Sequence, residues 1–423
     1  MTSTMPISVG ITSVGRRKRS LAVTAAVLLG LPLLSLSLSS GIAEASGVGQ
    51  VTNYPIYDYS FRAPSGIAVG PTGTMWFTGA AEEYYYDGIG SITTSGGIGG
   101  PYPDPNPGSG ETDEITPGPD GNMWFTAGGA NGFIGSINAS GQSNYVAAAQ
   151  DPGAITTGPD GNLWFTTSNG DGGSIGQVTP SGMVTTFANT GIYFPYGITA
   201  GPDGNLWFTN YGNNTIGRIS TGGVVTDFTG TGISDPEGIT AGPYGYLWFT
   251  NAANDSIGRI STKGKVTNFT GTGISDPGAI TTGPDGNLWF TNYGNNSIGE
   301  ITPKGVVYNY TGIDIDEPEG IVAAPDGALW FTNYGNSSIG RITTNVTPEI
   351  TSILPPSGAP GAKVIIKGKN LAGATSVTFN GVTATIISDT FARIVTEVPA
   401  DATPGPINVT TPAGTAISPQ SFT

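Results

Sequence analysis

Neither cysteine nor histidine occurs anywhere in the 423-residue chain. Without cysteine there is no disulfide, no thiolate zinc site and no cysteine nucleophile. Without histidine there is no Ser-His-Asp triad, no imidazole metal ligand and no access to the commonest general base. Catalysis would have to rest on carboxylate, lysine, tyrosine or a hard metal ion, and neither haem, nucleotide nor zinc is expected. Charge is scarce too: 11% of the residues are Asp, Glu, Lys or Arg, against roughly 25% in soluble proteins. The surface must be clothed in Asn, Thr, Ser, Gly and Tyr. Apolar residues at helical spacing are missing from the repeat units, which argues against a strand-helix solenoid. Gly (68) and Pro (32) are plentiful, but no triplet period accompanies them, so the chain is no collagen.

The N-terminus reads as an export signal over residues 1–45. Arg16, Arg17, Lys18 and Arg19 form a basic stretch, and Leu21 to Leu38 form an apolar run broken by Ser and Pro. Ala43-Glu44-Ala45 then supplies a small-x-small cleavage site. An uncleaved anchor is the alternative, since the run approaches the ~18 residues of a membrane span. Pro32 and the serines from Ser35 onward favour cleavage. A twin-arginine signal ranks second, because no Phe-Leu follows the arginines. Beyond residue 45 there remain 11 basic and 29 acidic residues, a net charge of −18. Such a chain is repelled by nucleic acid and anionic lipid, so neither is an expected partner, and a secreted monomer is the expected state.

Trp-Phe-Thr occurs seven times, with Trp at 76, 124, 164, 207, 248, 289 and 330, which are all the tryptophans of the chain. The last three spacings are 41 residues each, a period that belongs to four-stranded propeller blades. In the fourth unit Gly197 to Ala200 is a first strand, Pro202-Asp203-Gly204 a turn, and Asn205 to Thr209 a second strand. Ile216 to Ser220 and Val224 to Phe228 complete it. The Asp-Gly pairs resemble pieces of calcium loops but read as hairpin turns. The seventh unit stops after Ile342-Thr343-Thr344 and lacks its fourth strand. Gln50-Val51-Thr52-Asn53-Tyr54 matches Lys265-Val266-Thr267-Asn268-Phe269, so the front of the chain is predicted to complete blade seven and close the ring. The expected fold is all-β: a seven-bladed β-propeller over 46–347, then a small immunoglobulin-like β-sandwich over 348–423. The tail's short runs Val364–Gly368, Val377–Gly381, Ile394–Val398 and Ile407–Thr411 are separated by Gly and Pro turns.

Two resemblances follow from these residues. The tail is similar to the IPT/TIG immunoglobulin-like domain through its Pro-Pro-Ser-Gly opening, Lys-Gly-Lys-Asn-Leu, Phe-Asn-Gly, and its Val-Pro-Ala and Gly-Pro-Ile-Asn-Val ending. That resemblance implies a spacer or adhesion unit. The unit Gly-Pro-Asp-Gly-Asn-Leu-Trp-Phe-Thr-Asn-Tyr-Gly-Asn-Asn-Ser-Ile-Gly at 283–299 resembles the virginiamycin B (streptogramin B) lyases. The resemblance implies a seven-bladed propeller that opens a cyclic depsipeptide by elimination with a magnesium ion. It also implies histidines after the Pro that opens blades six and seven, where this chain has Gly278 and Glu319. A tyrosine belongs where Ser65 stands, and a lysine where Tyr334 stands. Only a glutamate before the Pro of blade seven is retained, as Glu317.

One face of the propeller therefore collects the candidate residues. The corresponding top-face positions, which follow the blade-opening Pro or, in blade two, Thr112, hold Ser65, Asp113, Gly153, Tyr196, Glu237, Gly278 and Glu319, and the loops after Trp-Phe-Thr add Asn210-Tyr211, Asn292-Tyr293 and Asn333-Tyr334. Such a rim suits a glycan or peptide, although the same side chains could simply cap blades in water. Blade one carries an insertion with Tyr84, Tyr85 and Tyr86, either a binding loop or a local lid. Asp314, Asp316, Glu317 and Glu319 form an acidic run, either a calcium or magnesium site or a solvated patch. The candidate ligand-binding set is Tyr84, Tyr85, Tyr86, Asp113, Tyr196, Glu237, Tyr293, Glu319 and Tyr334. Glu317 is the catalytic candidate, and Asp314, Asp316 and Glu317 are the metal candidates. The expected function is a secreted, non-catalytic binding or adhesion protein. The alternatives are a metal-dependent, lyase-like elimination enzyme and a purely structural surface protein.

Overall fold

The structure is a computed structural model, and it describes residues 49–57, 62–80, 88–106, 112–129, 131–168, 172–188, 190–344, 347–371, 374–390, 393–411 and 414–423. The export signal expected over 1–45 lies outside the described residues. Among the described residues no helix is long and apolar enough to cross a membrane.

Seven four-stranded antiparallel sheets form the blades. Their first strands are Arg62–Val69, Thr112–Pro117, Pro152–Thr157, Pro195–Ala200, Pro236–Ala241, Pro277–Thr282 and Pro318–Ala323. Each first strand lies against those of the two neighbouring blades, and the seventh lies against the first, so the circle closes. Blade seven takes its outer strand from Val51–Pro55. Thr52 pairs with Arg341 and Tyr54 with Ile339, the register in which Thr267 pairs with Arg259 and Phe269 with Ile257. Tyr54 stacks on Trp330 at 5.2 Å, as Phe228 does on Trp207 and Phe269 on Trp248.

The core lies between blades. The Trp of each blade shares an apolar cluster with the Phe of the next, as in Trp207 with Phe249 and Trp289 with Phe331. Trp330 packs with Phe77, which carries the core across the closure. Both faces of the second strand are thereby buried, which explains its unbroken apolar run. The Gly in each Ile-Gly pair of the third strand has a packing cause: a methyl at Gly217 would run into the ring of Phe208. The turn after the first strand holds a Gly at φ 75° to 83° in every blade, among them Gly204 and Gly327, where only glycine is unstrained.

The Asp-Gly turns do more than reverse the chain. In five blades the aspartate accepts the indole N–H four residues on, at 2.9–3.3 Å: Asp120 from Trp124, Asp160 from Trp164, Asp203 from Trp207, Asp285 from Trp289 and Asp326 from Trp330. A buried indole N–H is thus satisfied at the edge of the core. Burial opposes the charge on Asp120, Asp160 and Asp203, but the indole, Asn and backbone donors outweigh it and hold these carboxyls below the ordinary range.

Blade six differs in carrying Glu300 where blades four, five and seven carry Arg218, Arg259 and Arg341. Burial pushes the Glu300 carboxyl up, and the Asp285 charge adds to this; hydrogen bonds from Tyr310 Oη (2.6 Å) and Asn287 Nδ2 (2.6 Å) offset only part. A carboxyl raised in the folded state contributes stability that is present below its ordinary pKa of ~4.3 and is lost as pH rises through the folded value. Glu300→Gln is therefore expected to be more stable than the parent at pH 7. The gap should close near pH 4, read as the difference in urea midpoints. A gap independent of pH would contradict this.

The remaining strands form a two-sheet sandwich. One sheet runs in the order Glu349–Leu354, Lys363–Lys369, Arg393–Glu397, Ile386–Thr390; the other runs Val382–Ala384, Ser376–Phe379, Gly405–Thr411, Gly414–Phe422. Alternating residues such as Val364, Ile366, Val377, Phe379, Ile407 and Val409 fill its core.

Candidate functional site

The first strand of each blade carries a bulge just after its opening residues, as between Pro195 and Ile198 or Pro318 and Ile321. Ser65, Asp113, Gly153, Tyr196, Glu237, Gly278 and Glu319 all sit in this bulge. The Thr of every Trp-Phe-Thr donates its hydroxyl to the carbonyl of one of them in the next blade. The bonds run Thr78 to Asp113 (2.7 Å), Thr126 to Gly153 (2.7 Å), Thr166 to Tyr196 (2.9 Å) and Thr209 to Glu237 (2.6 Å). Thr250 to Gly278 (2.6 Å), Thr291 to Glu319 (2.9 Å) and Thr332 to Ser65 (2.6 Å) complete the circle. These threonines are at most 1% exposed. The candidate positions are thus set by blade-to-blade hydrogen bonds into one ring at the start of the first strands.

The side chains on that ring differ in what they offer. Ser65 is buried and turned inward onto Thr78 (3.1 Å), so it adds nothing to the rim. The Glu237 carboxylate lies beside Gly278, and the Asp113 carboxylate beside Gly128. Glu237, Asp113 and Glu319 are half-buried, as are Tyr293 and Tyr334, whereas Tyr196 is exposed. Tyr84, Tyr85 and Tyr86 lie outside the described residues.

Three expectations need correcting or refining. The rim amides Asn210, Asn292 and Asn333 are buried, as is Asn251. Asn210 donates to Gly191 O (2.9 Å) and Thr215 Oγ1 (2.9 Å) and accepts from Tyr193 N (3.0 Å). Asn292 repeats the pattern with Gly273 O, Ser297 and Ser275 N. These buried amides lock the loops that lead into blades four to seven. The metal candidates Asp314, Asp316 and Glu317 do not converge: among the described residues no group of three acidic side chains is placed to hold a metal ion. Asp316 instead accepts from Asn296 Nδ2 (3.1 Å) and lines a shallow groove of about 560 Å³ beside the fully exposed Ile313. Glu317 stands at φ 46°, the left-handed conformation also adopted by Ala63, Asp151, Phe194, Asp235 and Asp276 before the Pro of their blades. Its N–H donates to Asn296 Oδ1 (3.0 Å) and its carbonyl accepts from Tyr334 N (3.1 Å). The blades fill this place with Glu, Asp, Phe or Ala, so its occupation by an acid carries no catalytic signature by itself.

Blade four holds aromatic residues that were not among the candidates. Blades five and six enter with Ile-Ser-Asp-Pro, but blade four enters with Ile192-Tyr193-Phe194-Pro195-Tyr196. Tyr193 packs edge-on against Phe194 at 4.9 Å, and Tyr196 lies 6.4 Å from Tyr211. The loop at Gly212 rests on both Tyr193 and Phe194, tied by Tyr211 N to Phe194 O (3.1 Å). Tyr193 and Tyr196 are each nearly half exposed, at 45% and 44%. The signal was the break in the repeat, where two small polar residues become aromatic without any gain in buried core. The result is an aromatic platform beside an acidic, hydroxyl-bearing rim.

Seven four-stranded blades closed into a ring, followed by a C-terminal sandwich, define a β-propeller with an immunoglobulin-like tail. The chain belongs to the virginiamycin B lyase family, whose sequence profile matches residues 145–372; the IPT/TIG domain profile matches residues 348–423. A solved structure of a catalytically inactive variant of virginiamycin B lyase from Staphylococcus aureus, with one histidine replaced by alanine and quinupristin present, is 34% identical. The match covers 70% of this chain and 99% of that one, with a TM-score of 0.62. A streptogramin B lyase structure is 33% identical over 71% of this chain and 99% of its own, with a TM-score of 0.62. A fungal alcohol oxidase in complex with copper is 13% identical with a TM-score of 0.56, covering 90% and 99%, which reflects the fold alone. No curated protein sequence matches the chain.

Proposed function

We propose that this chain is an exported, non-catalytic binding or adhesion protein whose channel-entrance face holds a polar ligand, a glycan or a peptide. The observation that carries this reading is the platform of Tyr193, Phe194, Tyr196 and Tyr211. Exposed aromatic faces beside carboxylates and phenols give a sugar ring or a peptide side chain a stacking surface and hydrogen-bond partners at once. Asp113, Glu237, Glu319, Tyr293 and Tyr334 are the polar members of the site. The solved S. aureus lyase is inactive once one histidine is replaced, and this chain has none. Proton abstraction next to a carbonyl needs a positioned base near neutral pKa, and the titratable candidates named on the rim are carboxylates and phenols. The sandwich serves as spacer or docking unit. Family membership favours the second reading, elimination of a streptogramin-type substrate with a metal ion, in which Glu317 would be the catalytic candidate.

Screening the purified chain on glycan and peptide arrays, followed by titration of the best ligand, tests the first reading. Replacing Tyr193, Phe194 and Tyr196 by their blade-five counterparts, as Tyr193→Ser, Phe194→Asp and Tyr196→Glu, keeps the repeat intact. Loss of two or three stacking contacts is expected to weaken binding about tenfold or more. Unchanged affinity in the triple variant would remove the platform from the site.

A further inference from the structure

At the end of the blades opposite the rim, blade five breaks the rule that joins turn aspartate to indole. Its turn reads Pro243-Tyr244-Gly245, and Tyr244, at φ 61°, turns into solvent with 84% of its surface exposed. Trp248 keeps its place, 1% exposed and stacked on Phe269 at 5.4 Å, but its Nε1–H has no acceptor. Beside it, Arg259 Nε is also buried without an acceptor. The Arg259 guanidinium is held over Tyr246, Trp248 and Phe269 at 4.6, 5.3 and 5.2 Å, and Nη1 donates to Pro303 O at 3.1 Å. Blade one also lacks the aspartate, with Thr72 in its place, but there Trp76 pairs with Ser91 and no arginine is involved.

Blades four and seven show what these two donors are arranged to hold. Asp326 accepts from Trp330 Nε1 (3.3 Å) and from Arg341 Nε (2.7 Å). Asp203 accepts from Trp207 Nε1 (2.9 Å) through one oxygen and meets Arg218 Nη1 at 3.5 Å through the other. A methyl added at Gly201 or Gly283 would meet the aspartate oxygen at 2.8 or 2.5 Å. At the matching Gly242 the nearest atom beyond Trp248 is Leu288 Cδ1 at 3.4 Å. Nothing in blade five has taken over the place of the carboxylate. Two buried donors without an acceptor are costly, and a charge-assisted bond to both is the strong kind.

We propose that this corner of blade five binds one small carboxylate, formate- or acetate-sized, whose oxygens accept from Trp248 Nε1 and Arg259 Nε. The planar two-oxygen geometry follows from the aspartates it replaces, and the methyl of acetate takes the direction of the aspartate Cβ. The Tyr246 ring flanks the Arg259 guanidinium at 4.6 Å, and both donor atoms are buried, so entry requires local movement. The net negative charge of the chain opposes an anion at long range, and salt screens that repulsion. This site is separate from the rim, and its existence does not depend on the rim's function.

The test is titration of the full chain with sodium formate and with sodium acetate at constant ~0.15 M sodium chloride, following the seven indole N–H resonances by NMR. Trp248→Phe assigns its resonance. The Trp248 indole resonance is expected to shift saturably and alone, with half-saturation near ~1–10 mM, the range open to so few heavy atoms. Tyr244→Asp, which restores the turn of five other blades, is expected to abolish the titration and to place the free Trp248 resonance where formate drives it. Arg259→Gln is expected to weaken binding at least tenfold. No saturable shift with either carboxylate, or an unchanged titration in Tyr244→Asp, would overturn the proposal.

Discussion

A chain lacking residues 49–57 is expected to lose cooperative folding of the propeller, read as disappearance of the near-ultraviolet signal of the stacked tryptophans. The outer strand of blade seven is then missing, and the strand Ser338–Thr343 becomes an unpaired edge. The same deletion removes Tyr54 from Trp330 and opens the cluster that joins blade seven to Phe77 and Met75 of blade one. This strand completes blade seven, whose inner strands also pack directly on blade one, and closure substitutes for the disulfides the chain cannot form. Tyr54→Ala is the graded version. The ring is half-buried, so about 2 kcal/mol of destabilisation is expected, toward the lower end of large-to-small core changes. A deletion variant that melts like the parent would show that closure contributes little.

Asp326→Ala is expected to cost about 3–5 kcal/mol, the range for breaking a buried ion pair by removing one partner. The Arg341 and Asp326 side chains are 15% and 9% exposed and meet at 2.7 Å. The same carboxylate accepts from Trp330 Nε1 and from Ala328 N (3.1 Å). Its loss leaves a guanidinium and an indole N–H without acceptors at the blade that also carries the closure. Asp203→Ala is the internal comparison: its arginine lies at 3.5 Å and both partners are more exposed, at 30% and 19%. A clearly smaller cost is expected there, because solvent screens the pair. Urea denaturation of the two variants decides the matter, and equal costs would contradict the burial argument.

Much of the fold was legible because the repeat is written in residues with one physical role each. Trp-Phe-Thr fixed the second strand, Pro-x-Gly the turn, and the match of 50–54 to 265–269 the closing strand with its register. The sequence profile of the family begins only at residue 145. Blades one and two depart from the period, with a 48-residue first spacing and Thr72 in the turn, yet they form regular sheets. The site was legible only as a ring of positions. Whether a residue faces ligand or its own blade is set by the bulge and by who donates to whom, and a period does not contain that. Asn210 and Asn292 read as rim amides but are consumed by their own loops. Tyr193 and Phe194 precede the place after Pro, and in the sequence only the break in the Ser-Asp-Pro pattern marks them. The turn aspartates read as hairpin residues because an indole N–H four residues away needs three-dimensional packing before its demand for an acceptor is visible.

The central claim, that this member of a lyase family holds ligands without the lyase reaction, is tested most directly by mass spectrometry of quinupristin. The antibiotic is incubated with the purified chain and magnesium, beside a Glu317→Gln control. The account predicts that the antibiotic is recovered intact from both. A linearised product formed by the parent and absent from the control would contradict it, and would place a histidine-free elimination site at the entrance to blade seven.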